Sequence, residues 1–204
     1  YNRVIKIRLA TLNVKGLGST VKRRRIEALL RKNKLDIVFL QETHQSEKGV
    51  NELKMNNIDI YEKIFGTSKS RGVAIIIFKN CEFKVEKVVK DCNGRFIIMQ
   101  GKMGLEEYTL VNMYTPNNKQ GEFYDLVFKE MEKVKKGYVI MAGDFNMVMD
   151  KIKDKTAYSR NDIYHRNTIL SKKIKNNHLK DIWREMKGDE KRYTYFSLPP
   201  PPNE

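Results

Sequence analysis

Cysteine is scarce in these 204 residues, with only Cys81 and Cys92 present, and their spacing matches no metal-binding pattern. Small secreted domains stapled by disulfides carry more, so a reducing compartment is the expectation. Long apolar runs are lacking as well. The longest, Val73 to Phe78, is far too short to span a bilayer, and the N-terminus scatters charges where a signal peptide keeps an apolar block. No membrane partner is expected. Proline is confined almost wholly to Pro199 through Pro202, and no Gly/Ser linker or internal repeat divides the chain, which predicts one domain over residues 1–204. Acidic residues are in deficit, 25 against 40 Lys plus Arg, giving a net charge of +15. Such an excess favours a polyanionic partner, most simply nucleic acid. The chain also begins with Tyr1 where a full translation product has Met, and it is read as a piece of something longer.

What is present reads as alternating strands and helices. Val4 to Asn13 alternates apolar and basic residues and predicts a half-buried strand. Ser19 or Thr20 predicts the cap of a helix with Val21, Ile26, Leu29 and Leu30 on its buried face and Lys22, Arg23, Arg24 and Arg25 on the other. A strand over Leu35 to Leu40, a weak helix over Gly49 to Asn56 and a β-branched strand over Gly72 to Phe78 follow. Phe83 to Val89 and Phe96 to Met99 predict a hairpin turning at Asn93 and Gly94. Next come a strand ending at Tyr114, a helix over Glu122 to Lys135 and a strand from Tyr138 that runs into Gly143, Asp144, Phe145 and Asn146. The remainder is basic and helical around Ile169, Leu170, Ile174 and Trp183, with a last strand expected over Arg192 to Phe196. Strand–helix–strand units mixed with hairpins imply an α/β fold with mixed sheets and helices on the outsides.

The chemistry lies where strands end. Asn13, Glu42, Tyr114, Asp144 and Asn146 each close an apolar run, and ligands of α/β sheets sit outside the carboxyl ends of strands. Asp144 and Asn146, two residues apart on an extended segment, are expected to point the same way. Taken singly, each residue also suits an ordinary turn, cap or core role. Together, two carboxylates and two carboxamides make a hard-oxygen set suited to Mg²⁺ or Mn²⁺ rather than zinc, and metal-assisted phosphoryl transfer is the chemistry that fits. No P-loop, HExxH or GxSxG competes for the role.

LNVKGL at Leu12 to Leu17, QETH at Gln41 to His44, GVAI at Gly72 to Ile75, NMYTP at Asn112 to Pro116 and GDFN at Gly143 to Asn146 resemble, in matching order, the motifs of the endonuclease/exonuclease/phosphatase superfamily. The KRRRI helix, DIWR at Asp181 to Arg184 and YTYFS at Tyr193 to Ser197 are most similar to the endonuclease domain of LINE-type (non-LTR) retrotransposons. The resemblance implies a two-sheet α/β sandwich, mixed sheets flanked by helices, related to pancreatic deoxyribonuclease. It implies a nuclear domain, passing through the cytoplasm and not secreted, that nicks double-stranded DNA to prime a downstream reverse transcriptase of the same polyprotein. By position, Glu42 would be the principal Mg²⁺ ligand with Asn13 beside it, and Asp144 would orient or deprotonate the attacking water. Asn146 would hold the scissile phosphate or that water, Tyr114 would donate to a phosphate oxygen, and Thr194 would touch DNA. Lys22 to Arg25 are then phosphate contacts that set affinity without reading sequence. A monomer is expected.

One departure qualifies the resemblance. Family members continue to a closing S-D-H motif that completes the catalytic centre, and these 204 residues hold no such motif. The expectation is a nuclease fragment, weakly active or inactive, with the last strands of one sheet missing. The same-superfamily alternative is a phosphatase or phosphodiesterase; the non-enzymatic one is a nucleic-acid-binding remnant.

Overall fold

The computed structural model of the chain describes residues 6–46, 52–66, 70–157, 159–164 and 168–194. It comprises two compact units, residues 1–146 and 147–204.

The first unit contains two four-stranded mixed sheets. In one, β1 (Leu9–Asn13) runs parallel to β2 (Ile37–Gln41), which pairs antiparallel with β4 (Val73–Phe78), and β4 pairs with β3 (Ile58–Ile64). In the other, β5 (Phe83–Lys90), β6 (Phe96–Met103) and β7 (Glu106–Tyr114) form an antiparallel meander, and β8 (Tyr138–Asp144) lies parallel to β7. Each parallel pair needs a crossover, and each crossover is a helix: α1 (Thr20–Lys32) joins β1 to β2, and α2 (Gln120–Glu132) joins β7 to β8. The expected two-sheet sandwich with outer helices is what forms.

Alternation along the strands builds the layers. Ile37, Phe39, Val73, Ile75 and Ile77 face Ile97, Met99 and Leu110 in one buried cluster between the sheets. The opposite faces of β2 and β4, through Val38, Leu40, Ala74 and Ile76, cluster with Ile26 and Leu30 of α1. On the far side α2 buries Phe123, Tyr124, Val127, Phe128 and Met131, with Phe123 edge-on to Phe96 at 6.3 Å. Each fully buried aliphatic contributes about 1.5–3 kcal/mol, so this central packing fixes where the strand ends must fall.

Several elements differ from the sequence-based expectations. β1 starts at Leu9 because Arg8 is tied to Asp36, its N–H donating to Asp36 Oδ2 at 2.6 Å and its carbonyl accepting from Asp36 N at 2.9 Å. Residues 1–5 lie outside the described residues. Val21 and Leu29 are 61% and 47% exposed, because α1 touches its sheet along the single i, i+4 row of Ile26 and Leu30. Of the helix expected over Gly49 to Asn56, residues 49–51 lie outside the described residues and 52–56 are not helical. The unanticipated strand is β3, whose alternation is interrupted by a register shift between Ile58 and Ile60. The strand expected over Arg192 to Phe196 does not form over 192–194, and 195–196 lie outside the described residues.

Among its described residues the second unit carries three short helices, α3 (Arg160–Tyr164), α4 (Ile169–Asn176) and α5 (Ile182–Lys187). Thr168 caps α4 while donating to the Val148 carbonyl at 2.9 Å. Asp181 caps α5, and Arg184 pairs with Asp154 and donates to the Gly188 carbonyl at 2.7 Å. The Asp181 and Arg184 of DIWR are therefore structural ties. Among the described residues no helix is long and apolar enough to cross a membrane.

Candidate active site

Register brings the polar strand ends together. Asn13 is paired with Gln41 at the end of the parallel β1–β2 ladder, and Tyr114 with Asp144 at the end of β7–β8. The two ladders belong to different sheets, yet their ends meet. Asn13 Nδ2 donates to Glu42 Oε1 at 2.7 Å and to Asp144 Oδ2 at 2.8 Å, so carboxylates from both sheets converge on one nitrogen. Asn13 Oδ1 accepts from Lys15 N at 3.0 Å, which orients the amide.

Tyr114 stands beside both carboxylates. Burial raises its phenol pKa above the ordinary value, and the charge of Glu42, its hydrogen bond to Glu42 and the charge of Asp144 add to the rise, opposed by Arg95. Tyr114 is consequently a protonated donor at neutral pH. Asn146 lies beyond the end of β8 with φ of 44°, so the expected period-two argument does not place it. Its backbone N–H donates to Asp144 Oδ1 at 3.1 Å and its Nδ2 to the Thr115 carbonyl at 2.6 Å. Asp144 is thus fixed at both oxygens. Gly143 permits this approach, since a Cβ there would sit 2.1 Å from the Met113 carbonyl oxygen.

Four residues of the site were not singled out in the sequence. His44 Nε2 lies 3.3 Å from Glu42 Oε2, so Glu42 too is contacted at both oxygens. Asn112, fully buried between the sheets, donates to the carbonyls of Leu40 at 2.9 Å and Ala74 at 2.8 Å and accepts from Gln41 Nε2 at 2.8 Å. It fastens β7 to the end of β2 immediately before Glu42. Arg95, whose carbonyl accepts from Tyr114 N at 2.7 Å, and Arg71 flank a loop contact in which Gly72 N donates to Gly94 O at 3.0 Å. Burial lowers the Arg95 pKa and the nearby charge of Arg71 adds to this, while Tyr114 and Asp91 oppose it. The Arg95 guanidinium therefore acts on Tyr114, with Arg71 close to Arg95. Asn112 lies in the quoted NMYTP motif; the hairpin register is what reveals Arg95.

The basic run on α1 divides. Lys22 Nζ donates to the Lys15 carbonyl at 2.8 Å and Arg23 to the carbonyls of Leu17 and Gly18 at 2.6 and 2.9 Å, holding the loop that follows Asn13. Arg24 and Arg25 are exposed. Thr194 is exposed and belongs to the second unit.

The donor set fits a hard divalent cation. Glu42 and Asp144 supply carboxylate oxygens and Asn13 the second lone pair of an amide oxygen. Among the described residues no group of three or more His, Cys, Asp or Glu is placed to hold a metal. A divalent cation that keeps several waters and takes one or two carboxylates suits this donor set.

A two-sheet sandwich with an acid–amide–phenol cluster at converging strand ends is the frame of a phosphoester hydrolase. Residues 10–202 match the Endonuclease/Exonuclease/phosphatase family, and the chain belongs to it. It is 24% identical over 197 residues to the transposon TX1 uncharacterized 149 kDa protein of Xenopus laevis, a match covering 93% of this chain and 14% of that protein's length. Among solved structures it is similar to an AP endonuclease from Archaeoglobus fulgidus, with a TM-score of 0.66 and 19% identity over 94% of this chain and 79% of the other. The AP endonuclease LMAP from Leishmania major has a TM-score of 0.65 and 16% identity, covering 87% and 68%. A TDP2 from D. rerio, solved with a single-strand DNA product, has a TM-score of 0.57 and 17% identity, covering 89% and 70%.

Proposed function

We propose that the chain is a Mg²⁺-dependent DNA endonuclease domain, Mn²⁺ being the alternative ion, which hydrolyses one phosphodiester of double-stranded DNA. The observation that carries this reading is the Asn13 amide nitrogen shared by Glu42 and Asp144, with the protonated Tyr114 beside them. A divalent cation held by Glu42 and Asn13 would polarise a phosphoryl oxygen and stabilise the leaving 3′-oxygen. Asp144, fixed by Asn13 and by the Asn146 N–H, orients a water for in-line attack and accepts its proton. Tyr114 donates its phenolic hydrogen to a non-bridging phosphate oxygen. Asn146 holds the Thr115 carbonyl in the free protein and turns to phosphate or water when substrate enters. Arg95 beside Tyr114, with Arg71 close to it, offers positive charge to a phosphate backbone, which favours a polynucleotide over a lone phosphate group, as does the net charge of +15.

The wider setting is part of the same proposal. Similarity to a transposon protein supports a place in a retrotransposon polyprotein, where the nick supplies a 3′-hydroxyl to a downstream reverse transcriptase. A nuclear site of action with cytoplasmic passage and a monomeric state belong to this reading. So does one functional domain spanning both units, favoured by a family match that runs through them.

The deciding experiment is nicking of supercoiled plasmid in Mg²⁺ by the 204-residue chain and by the same chain carried in its longer parent. The expected result is nicking in at least the longer context, reduced roughly 10²-fold or more by Asp144→Asn and by Glu42→Gln, since each removes a transition-state interaction. Salt-sensitive DNA binding without nicking in either context would sink the endonuclease reading in favour of a binding remnant. Release of phosphate from soluble or lipid phosphoesters, with DNA left intact, would establish the phosphatase alternative.

A further inference from the structure

The segment Glu42–Thr43–His44 has a backbone that ordinary residues avoid. Glu42 and His44 both adopt left-handed φ values, 51° and 50°, where a side chain costs about 1–2 kcal/mol that glycine does not. The conformation is imposed from two sides. Gly16 N and Leu17 N donate to the carbonyls of Glu42 and Thr43 at 2.6 and 2.9 Å, while Thr43 N and His44 N donate to the carbonyls of Gly72 and Arg71 at 3.0 Å each. The consequence is that two side chains two residues apart meet: His44 Nε2 lies 3.3 Å from Glu42 Oε2. The imidazole is itself backed by Gly16, where a Cβ would stand 3.0 Å from His44 Nδ1. The two side chains are 23% and 20% exposed, open enough for an ion to reach the carboxylate.

We infer that His44 is a positioning residue for Glu42: together with Asn13 it grips the carboxylate by both oxygens and holds it in the orientation that receives a divalent cation. A carboxylate has about four lone-pair sites, and the contacts with Asn13, His44 and Tyr114 leave one open for an ion. Outer contacts of this kind typically change metal affinity ten- to a hundredfold when removed. The inference rests on the divalent-cation reading of the site, and the test separates the two.

Mn²⁺ binding to the 204-residue chain is titrated by electron paramagnetic resonance of the free ion, for wild type, Glu42→Gln, His44→Gly and His44→Gln. Glycine keeps the left-handed backbone without steric cost and removes the ring; glutamine restores an N–H donor near Nε2. The expected result is loss of the site in Glu42→Gln, affinity weakened about tenfold or more in His44→Gly, and recovery to within a few-fold of wild type in His44→Gln. Unchanged affinity in His44→Gly, with Glu42→Gln still abolishing binding, overturns the role of His44 while leaving the metal site intact. Equal weakening in the glycine and glutamine variants also overturns it, because the ring would then act by packing against Gly16. Absence of Mn²⁺ binding in wild type, or wild-type affinity in Glu42→Gln, removes the metal reading and the inference with it.

Discussion

Glu42 and Asp144 are both carboxylates at strand ends, yet the two ends are built from opposite materials. β2, which leads to Glu42, is buried at every position and lies between two partner strands, and the segment after it is bonded to loops on either side. β8, which leads to Asp144, is paired through β7 alone among the described residues and is partly exposed along its length. Glu42 inherits its position from the core. Asp144 owes its position to close local fitting: Gly143 against Met113, the Asn146 N–H, and Tyr124, whose hydroxyl donates to the Phe145 carbonyl at 2.7 Å. A rigid strand and a tailored edge thus meet at Asn13, and a substitution will act differently depending on which side it strikes.

The sharpest test of this contrast compares two glycines. At Gly143, φ is 146° and an added Cβ meets backbone, the Met113 carbonyl oxygen at 2.1 Å, which cannot step aside. Gly143→Ala is expected to cost about 3–4 kcal/mol in urea denaturation. At Gly72, φ is 85° and the Cβ meets the Thr43 hydroxyl at 2.4 Å, a side-chain atom that can shift. Gly72→Ala is expected to cost about 2 kcal/mol. If Gly72 proves the costlier position, the Glu42 end is the more tightly fitted one and the comparison reverses.

A second test loosens the buried side alone. Asn112→Leu removes both donations to the Leu40 and Ala74 carbonyls and one of the two acceptors of Gln41 Nε2, whose bond to Thr11 remains, and is expected to lower stability by about 2–3 kcal/mol. Amide exchange should rise in β2 and β4 and stay unchanged in β8. Equal loss of protection in β8 would show that the two ends are not independent.

The smallest effect is in the pH dependence of the edge. Burial pushes the Tyr124 hydroxyl up to about 12, above its ordinary value near 10. Above pH 10 the unfolded chain gives up this proton while the folded chain keeps it, so the folded state binds more protons and stability falls as pH rises. Tyr114, also raised, acts in the same direction. The drop in thermal midpoint between pH 10 and 12 should therefore be shallower in Tyr124→Phe than in wild type. An unchanged slope would show that Tyr124 does not carry the alkaline loss.

Legibility in the sequence followed periodicity. The β2 and β4 runs announce themselves because burial on both faces demands an unbroken apolar pattern, and the crossover helices because their apolar residues recur at helical spacing. β3 does not, since a bulged edge strand with Asp59, Glu62 and Lys63 has little core face to display. The same logic governs the site. Asn13, Glu42, Tyr114 and Asp144 stand out as polar residues ending apolar runs, and their convergence needs only strands of the right length. His44 and Arg95 were hidden because their roles depend on a left-handed turn and on the register across a hairpin, neither of which composition encodes. The carbonyl partners of Lys22 and Arg23 are not legible for a related reason: a basic side chain looks the same in sequence whether it faces solvent or reaches back to a carbonyl.

The shared amide of Asn13 has a mechanical side. Its side chain projects from one sheet and grips a carboxylate from the other, spanning the plane along which the halves of the sandwich could slide. Hydrogen bonds weaken once donor and acceptor leave a window of about 2.7–3.2 Å or fall out of line. Asn13 therefore behaves as a strain gauge: misalignment of the sheets would be felt at the paired carboxylates well before it registered as unfolding.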